Sequence, residues 1–429
     1  MKMDLRPFRG WHYTGDVSRR IAPPYDILQP SDKAALLDGC ADNIVAVDLP
    51  HVPPVGVGPD ALYDAAAARL KAMKAAGTLV RDDRPALYAY SQTYTWAGRT
   101  YTRRAMMCGV RATELYEGVW PHEKTFPGPK ADRLKLTEAT RMQLSPIFGV
   151  FNDPGDVSAT LWGAAEGAEP FARGRLRGVD EAIWAVTDPD VIAAVRAAMA
   201  EVPVFIADGH HRYTTALNYR NALRDRGAID DDHEANFVLF TLVPADDPGL
   251  LILPTHRLVG GITDGYDCAA LMAETADAVE WRSVPLTDAL IQTPDEALAA
   301  FGPGAMAFLD AGGEQAHVAR LADPSVMAAL APDQPQVWRD LDVAILHKLF
   351  LEQHILQHAP ADTHLGYTAR GAEVMEGLAS GRYSLAAILR GTPLQSVIDV
   401  ALARTVMPHK STFFYPKLAT GMVLKPLEA

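Results

Sequence analysis

The sequence predicts an α/β protein with a mixed sheet, and three features carry that expectation. Nearly half of the 429 residues (48%) are apolar, enough for sizeable cores. β-Branched and aromatic runs alternate with Ala-rich helical stretches along the whole length. At one point an apolar run, EVPVFIAD (201–208), passes through Gly209 straight into a helical segment, the signature of a strand–turn–helix unit.

Taken in order, IAPPYDILQP (21–30) is proline-punctuated and reads as extended, because each proline fixes its own φ and disfavours helix in its predecessor. Ser31 is expected to cap a short helix that Gly39 ends. NIVAVDL (43–49) reads as a strand, and PDALYDAAAARLKAMKAA (59–76), closed by Gly77, as a helix. Residues 86–111 form two β-rich runs around a Trp-Ala-Gly turn, an antiparallel hairpin. From Leu115 to Phe151 the chain turns polar and Pro/Gly-rich, read as a loop, a helix from about Ala131, then a strand. Asp188 should cap a helix over 189–200, and GHHRYTTALNYRNALRDRG (209–227) another. Phe237–Val243 and Leu250–Leu253 read as strands around an Asp-Asp-Pro-Gly turn. Residues 261–340 alternate helices with short strands, and LDVAILHKLFLEQHI (341–355) is helical. At roughly 150 residues per domain the length suggests about three domains, drawn here as 1–115, 116–260 and 261–429.

Charge and composition narrow the function classes. The formal charge of −13, with no cluster of five or more Lys/Arg, argues against a nucleic-acid partner. Three scattered cysteines, Cys40, Cys108 and Cys268, show no ligand or disulfide spacing and suit a reducing compartment. The N-terminus carries charges where a signal peptide needs an apolar run, and no stretch is apolar enough to suggest a membrane span. A cytoplasmic location is the expectation; the oligomeric state stays unknown.

Four segments could carry chemistry. In Asp208-Gly209-His210-His211-Arg212 the glycine permits a tight turn, and the first N–H groups of the following helix favour an anion. In His122-Glu123-Lys124-Thr125 a glutamate flanked by basic groups could act as a general base. His409-Lys410-Ser411-Thr412, with Lys417 beyond it, offers cations and hydroxyls to phosphate oxygens. Thr255-His256-Arg257 is the fourth. A base, phosphate-reading cations and hydroxyls on separate loops suit phosphoryl transfer, where positioning and charge stabilisation dominate. The chain lacks the P-loop, the kinase HRD and DFG strings, and the Rossmann glycine fingerprint. It also lacks HExxH and paired cysteines, while a zinc site from His122, His210 and His211 stays open.

These residues carry a resemblance. Through RPFRG (6–10), APPYD (22–26), HEKT with GPKADRL (122–134), LSPIFG (144–149), IADGHHRYTTAL (206–217), DDPGLLILPTHRL (246–258) and MPHKSTFFYPKL (407–418) the chain resembles the DUF1015 family, whose name supplies no activity. Through Pro-His-Glu (121–123), the DGHHR turn and the Pro-His-Lys-Ser-Thr tail it is similar, more distantly, to the free serine kinases of the ParB/sulfiredoxin-like fold. That second resemblance implies a ParB/sulfiredoxin-like core with an extra N-terminal region and a C-terminal α/β domain. It implies transfer of a phosphoryl group from ATP or ADP, with Mg²⁺, to the hydroxyl of a free amino acid, L-serine first, giving O-phosphoserine.

The roles follow residue by residue. Glu123 matches the general base, and Asp208 matches the acid that binds Mg²⁺ or orients the acceptor. Gly209, His210, His211, Arg212 and Lys410 match the phosphate and nucleotide contacts. His122, His256, Ser411 and Thr412 match substrate contacts, the local match at His256 being poor. The implied partners are a nucleotide and a small-molecule substrate. The chain departs from the kinases in a longer gap between Glu123 and Asp208, in the added N-terminal region, and in Ser411 and His409 of the tail. A nucleotide-binding or nucleotide-hydrolysing regulator of the same fold, with no metabolite acceptor, is the alternative.

Overall fold

The computed structural model describes residues 3–54, 56–263, 265–360 and 362–428. It is α/β with a large mixed sheet, and the chain divides into two compact units. The first comprises residues 1–251 and 416–429, and the second residues 252–415.

Among the described residues the first unit is built on a ten-stranded sheet. The expected hairpin is its centre: β1 (Leu87–Trp96) and β2 (Arg99–Arg111) pair antiparallel around Ala97 and Gly98, both at positive φ. That backbone matches the right-handed twist of the flanking strands. β3 (Val119–Trp120) and β4 (Ile147–Phe151) follow, separated by α1 (Pro127–Thr140). After β5 (Ala172–Leu176) and β6 (Val179–Val186) come β7 (Val204–Asp208), α2 (His210–Asp225) and β8 (Phe237–Pro244). The order runs from Gly15–Asp16 through β5, β6, β1, β2, β8, β4 and β7 to β3, with Leu5–Arg6 pairing on β2. β8 runs antiparallel to β2 but parallel to β4, which makes the sheet mixed. Buried residues such as Ile147, Val204, Ile206, Tyr213 and Phe240 join its strands to α2 in one core.

Several expectations change here. The boundary drawn at 115/116 falls inside this unit, because β2 of the first segment pairs along its length with β8 of the second. The boundary drawn at 260/261 likewise gives way to a division at 251/252, and the last fourteen residues return to the first unit. NIVAVDL contains a helical turn, Val45–Asp48, instead of a strand. Its alternation is real, yet Asn43 folds the backbone locally by accepting the Val45 N–H (2.9 Å) and donating to the Ile21 carbonyl (2.9 Å). The first short helix begins at Pro30, not after Ser31; proline at the first helical position needs no donor, and Asp32 accepts the Gln29 N–H at 2.9 Å. For the same reason α1 starts at Pro127, a turn before Ala131. Asp188 caps its helix as expected, accepting from the N–H groups of Asp190 and Val191.

In the second unit six antiparallel strands form a sheet. In chain order they are β9 (His256–Gly260), β10 (Val279–Pro285), β11 (Met306–Asp310), β12 (Gln315–Leu321), β13 (His364–Thr368) and β14 (Leu385–Ile388). Their order is β10-β12-β11-β14-β9-β13, over a core that includes Leu258, Leu298, Ala307, Val374 and Ile388. The helical segment at 342–354 begins as α-helix at Asp342–Ile345 and continues with π-type bonding over Leu346–His354. Among the described residues no helix is long and apolar enough to cross a membrane.

Candidate functional site

The strand–turn–helix read from the sequence is present: Asp208 ends β7, Gly209 turns at φ 96°, and α2 begins at His210. The turn needs glycine twice over, since φ is left-handed and an added Cβ would lie 3.0 Å from the Arg212 guanidinium. Two neighbours, β3 in parallel and β4 in antiparallel, fix β7 in the sheet, so Asp208 is held at the end of a paired strand next to a helix N-terminus.

Asp208 is clamped between two cations. Arg212 donates to Oδ2 at 2.5 Å, and Lys417 donates to Oδ1. Burial alone would raise the Asp208 carboxyl, but Lys417 and Arg212 outweigh it and bring the group down to about 2. Arg212 also donates to the Pro146 carbonyl. Two of its donors thus face protein oxygens.

The three histidines have assignable tautomers. His122 Nδ1 lies 2.8 Å from the Ile206 carbonyl, so it carries the proton and donates. His210 Nε2 accepts the His122 backbone N–H at 3.2 Å, which leaves the proton on its Nδ1, 3.7 Å from a Glu123 carboxylate oxygen. His211 Nε2 accepts the Phe126 N–H at 2.9 Å. The His122 and His210 rings meet edge to face, 4.7 Å between centroids. Burial pulls His122 down to about 4 and His210 well below the ordinary imidazole range, so both rings are neutral near pH 7. The Glu123 side chain is 30% exposed, open to solvent beside the His210 Nδ1–H. The arrangement offers a reachable carboxylate 3.7 Å from a neutral imidazole N–H, at the mouth of a helix N-terminus.

Lys417, offered by the sequence only as a cation beyond the Pro-His-Lys-Ser-Thr tail, meets Asp208 directly. Its side chain reaches Asp208 across 209 positions, and its backbone is gripped by the interior of the sheet. Gln92 Nε2 donates to the Lys417 carbonyl (3.2 Å), and Arg103 donates to the Pro416 carbonyl (2.7 Å). Gln92 also donates to buried Glu181 (3.0 Å), as does the Tyr90 hydroxyl. Burial pushes Glu181 up to about 7. Two of the quoted motifs are structural instead: Asp132 accepts from His51 Nε2 and Tyr63 (2.6 Å each) and from Arg133 Nε (2.8 Å), and Arg133 lies 4.2 Å over the Tyr25 ring.

The remaining expected site residues belong to the second unit. His256 opens β9, is 1% exposed, and its Nδ1 accepts the Leu389 N–H at 3.2 Å. Lys410 lies 5.0 Å over the Tyr367 ring. The Ser411 hydroxyl is buried and donates to the Pro408 carbonyl, and Thr412 is partly exposed.

A divalent metal at Asp208 fits this geometry poorly. Both carboxylate oxygens already face cations, whereas Mg²⁺ needs oxygen ligands free of competing positive charge. Nor do His122, His210 and His211 gather as a zinc site. Among the described residues one group of three ligand-type side chains brings its atoms within 4.8 Å, and it is Cys268, Asp310 and His317 of the second unit.

Comparison with solved structures gives distant matches, three of which follow. A conserved hypothetical protein from Pyrococcus furiosus aligns at 12% identity over 75% of this chain and 95% of its own, with a TM-score of 0.33. A free serine kinase in complex with AMP aligns at 13% identity over 74% and 92%, with a TM-score of 0.33. SbnI from Staphylococcus aureus, with a C-terminal truncation, aligns at 11% identity over 75% and 87%, with a TM-score of 0.35. No curated protein matches the sequence. The family model described as "Protein of unknown function (DUF1015)" matches residues 5–344, and the chain belongs to the DUF1015 family.

Proposed function

We propose that the chain is a phosphotransferase that moves a nucleotide's terminal phosphoryl group to the hydroxyl of a free amino acid, with L-serine the first acceptor to test. One observation carries the reading: a solvent-reachable carboxylate, Glu123, stands beside the neutral His210 Nδ1–H at the entrance to α2. The similarity of Pro-His-Glu and DGHHR to free serine kinases supports the same roles.

In this reading a Glu123 oxygen takes the proton of the acceptor hydroxyl. The acceptor oxygen then bonds to the transferred phosphorus, and the bond from that phosphorus to the departing nucleotide oxygen breaks. The N–H groups at the start of α2 favour the phosphate charge. His210 stands 3.7 Å from the carboxylate, near enough to close on it once substrate binds, and the Lys417–Asp208–Arg212 clamp keeps the turn rigid. No step is assigned to a metal ion.

The test is a product assay by phosphorus NMR or mass spectrometry, with ATP or ADP and a panel of hydroxyl amino acids. O-Phosphoserine should appear with wild-type protein. Glu123→Gln, which keeps the shape and removes the base, should slow turnover by about 10²–10⁴-fold. Undiminished turnover in Glu123→Gln would sink the assignment. Nucleotide binding or hydrolysis with no acceptor-dependent product would favour a nucleotide-binding regulator instead.

A further inference from the structure

The second unit contains a cavity of about 580 Å³ whose walls come entirely from that unit. Two motifs that the proposed reaction leaves aside send residues to it: Thr255 from LPTHR and Ser411 from PHKST. Arg320, Arg339 and Arg390 add three guanidinium groups, and Thr392 and Ser396 two more hydroxyls.

The polar groups on these walls are unevenly satisfied. The acids have donors already: Asp295 accepts the Gly391 N–H (2.7 Å), Asp340 accepts from Gln336 Nε2 (2.6 Å), and Asp342 pairs with Arg390 Nη2 (3.2 Å). Arg320 is spoken for by Glu280. Three buried donors have no partner: Thr255 Oγ1, Arg339 Nε and Arg390 Nε. Thr255 is only 6% exposed, so water does not solvate its hydroxyl. A buried donor without an acceptor costs about 1–3 kcal/mol, and native proteins leave few of them.

The geometry points to a ligand site in this cavity for a small molecule bearing an oxyanion, a phosphate or carboxylate group, held by Arg339 and Arg390 with Thr255 as a further donor. The arginines' fork matches such groups. Leu341, Val343 and Leu389 supply apolar wall for the rest of the molecule. The inference is independent of the proposed phosphoryl transfer, which uses residues of the first unit.

The experiment is calorimetric titration of the full chain with inorganic pyrophosphate and, separately, with malonate. Saturable binding of one molecule per chain by at least one of them is expected; the one that binds says whether phosphate or carboxylate is the group recognised. Arg339→Gln should weaken that binding about tenfold or more, the cost of losing a charge-assisted hydrogen bond. Thr255→Val, nearly isosteric and expected to fold even if Arg339→Gln does not, should weaken it about threefold. The inference is overturned if neither anion binds, or if Thr255→Val and a folded Arg339→Gln both bind like wild type, which would put the anion elsewhere.

Discussion

The β7–α2 turn of the first unit and the cavity of the second are both rich in charge, yet they are opposites in how that charge is used. At the turn each strong group is answered from within: Asp208 by Arg212 and Lys417, Arg212 by the Pro146 carbonyl, His210 by the His122 N–H. In the cavity three buried donors are left unanswered. A closed network is rigid before any ligand arrives and suits a reaction that depends on fixed geometry. An open one carries a cost that a ligand can relieve. The turn should therefore punish loss of a polar group heavily, and the cavity should not.

The largest effect is expected from Asp208→Asn. It leaves the buried guanidinium of Arg212 and the ammonium of Lys417 facing a neutral amide. Removing one partner from a buried charge cluster typically costs about 3–5 kcal/mol. Urea unfolding of the variant should show a loss of that order with an unchanged slope. A loss under about 1 kcal/mol would mean that the clamp is not the closed network described.

Acid probes the same clamp without mutation. Asp208 is held at about 2 in the folded chain, below its ordinary 3.8. Its contribution is thus complete above pH 4 and is lost as pH falls from 4 towards 2, about 2 kcal/mol in all. Glu181 has the opposite sign. Raised to about 7 from 4.5, it gives stability that is complete below pH 4.5 and is lost as pH rises through 7. Unfolding free energies across a pH series should lose the low-pH fall in Asp208→Asn and the decline between 4.5 and 7 in Glu181→Gln. If both variants follow the wild-type profile, the two buried carboxyls are not the titrating groups.

The comparison also shows what a sequence can and cannot carry. The β7–α2 turn was legible because everything that makes it is local: an apolar run, one glycine and a helix with no break. The β1–β2 hairpin was legible for the same reason. The clamp was not, because Lys417 meets Asp208 across 209 positions, and neither side chain differs in sequence from a solvated one. The joining of residues on either side of 115/116 into one compact unit was not legible either, since the pairing of β2 with β8 joins segments separated by more than a hundred residues. At Arg212 the motif shows only an arginine beside a turn. Which oxygen it faces is decided by the Pro146 carbonyl of another segment. The cavity's arginines sit in unremarkable stretches, and only the fold brings Arg339 and Arg390 to Thr255.

A backbone change tests the rigidity of the turn more gently. Gly209→Ala places a Cβ at φ 96° and 3.0 Å from the Arg212 guanidinium. The left-handed conformation costs an L-residue about 1–2 kcal/mol. The same push should disturb the Arg212–Asp208 contact and lower turnover together with stability. A variant as stable as wild type would mean that the turn relaxes freely, against the picture of a fixed site.

The smallest effect should have the opposite sign. Thr255→Val in the second unit removes a buried hydroxyl that makes no hydrogen bond and keeps nearly the same volume. The threonine backbone carbonyl, which accepts from Arg257, is untouched. Without ligand the substitution should leave stability unchanged or raise it by about 1 kcal/mol, since replacing an unsatisfied polar group by an apolar one of the same shape removes a desolvation cost. With a saturating anion the order should reverse, because wild type then gains a partner that the valine lacks. Thermal melts of both proteins, with and without pyrophosphate, measure the crossing directly. If Thr255→Val is destabilising in the absence of anion, the hydroxyl already has a partner in solution, and the contrast between a closed turn and an open cavity fails at the residue on which it is sharpest.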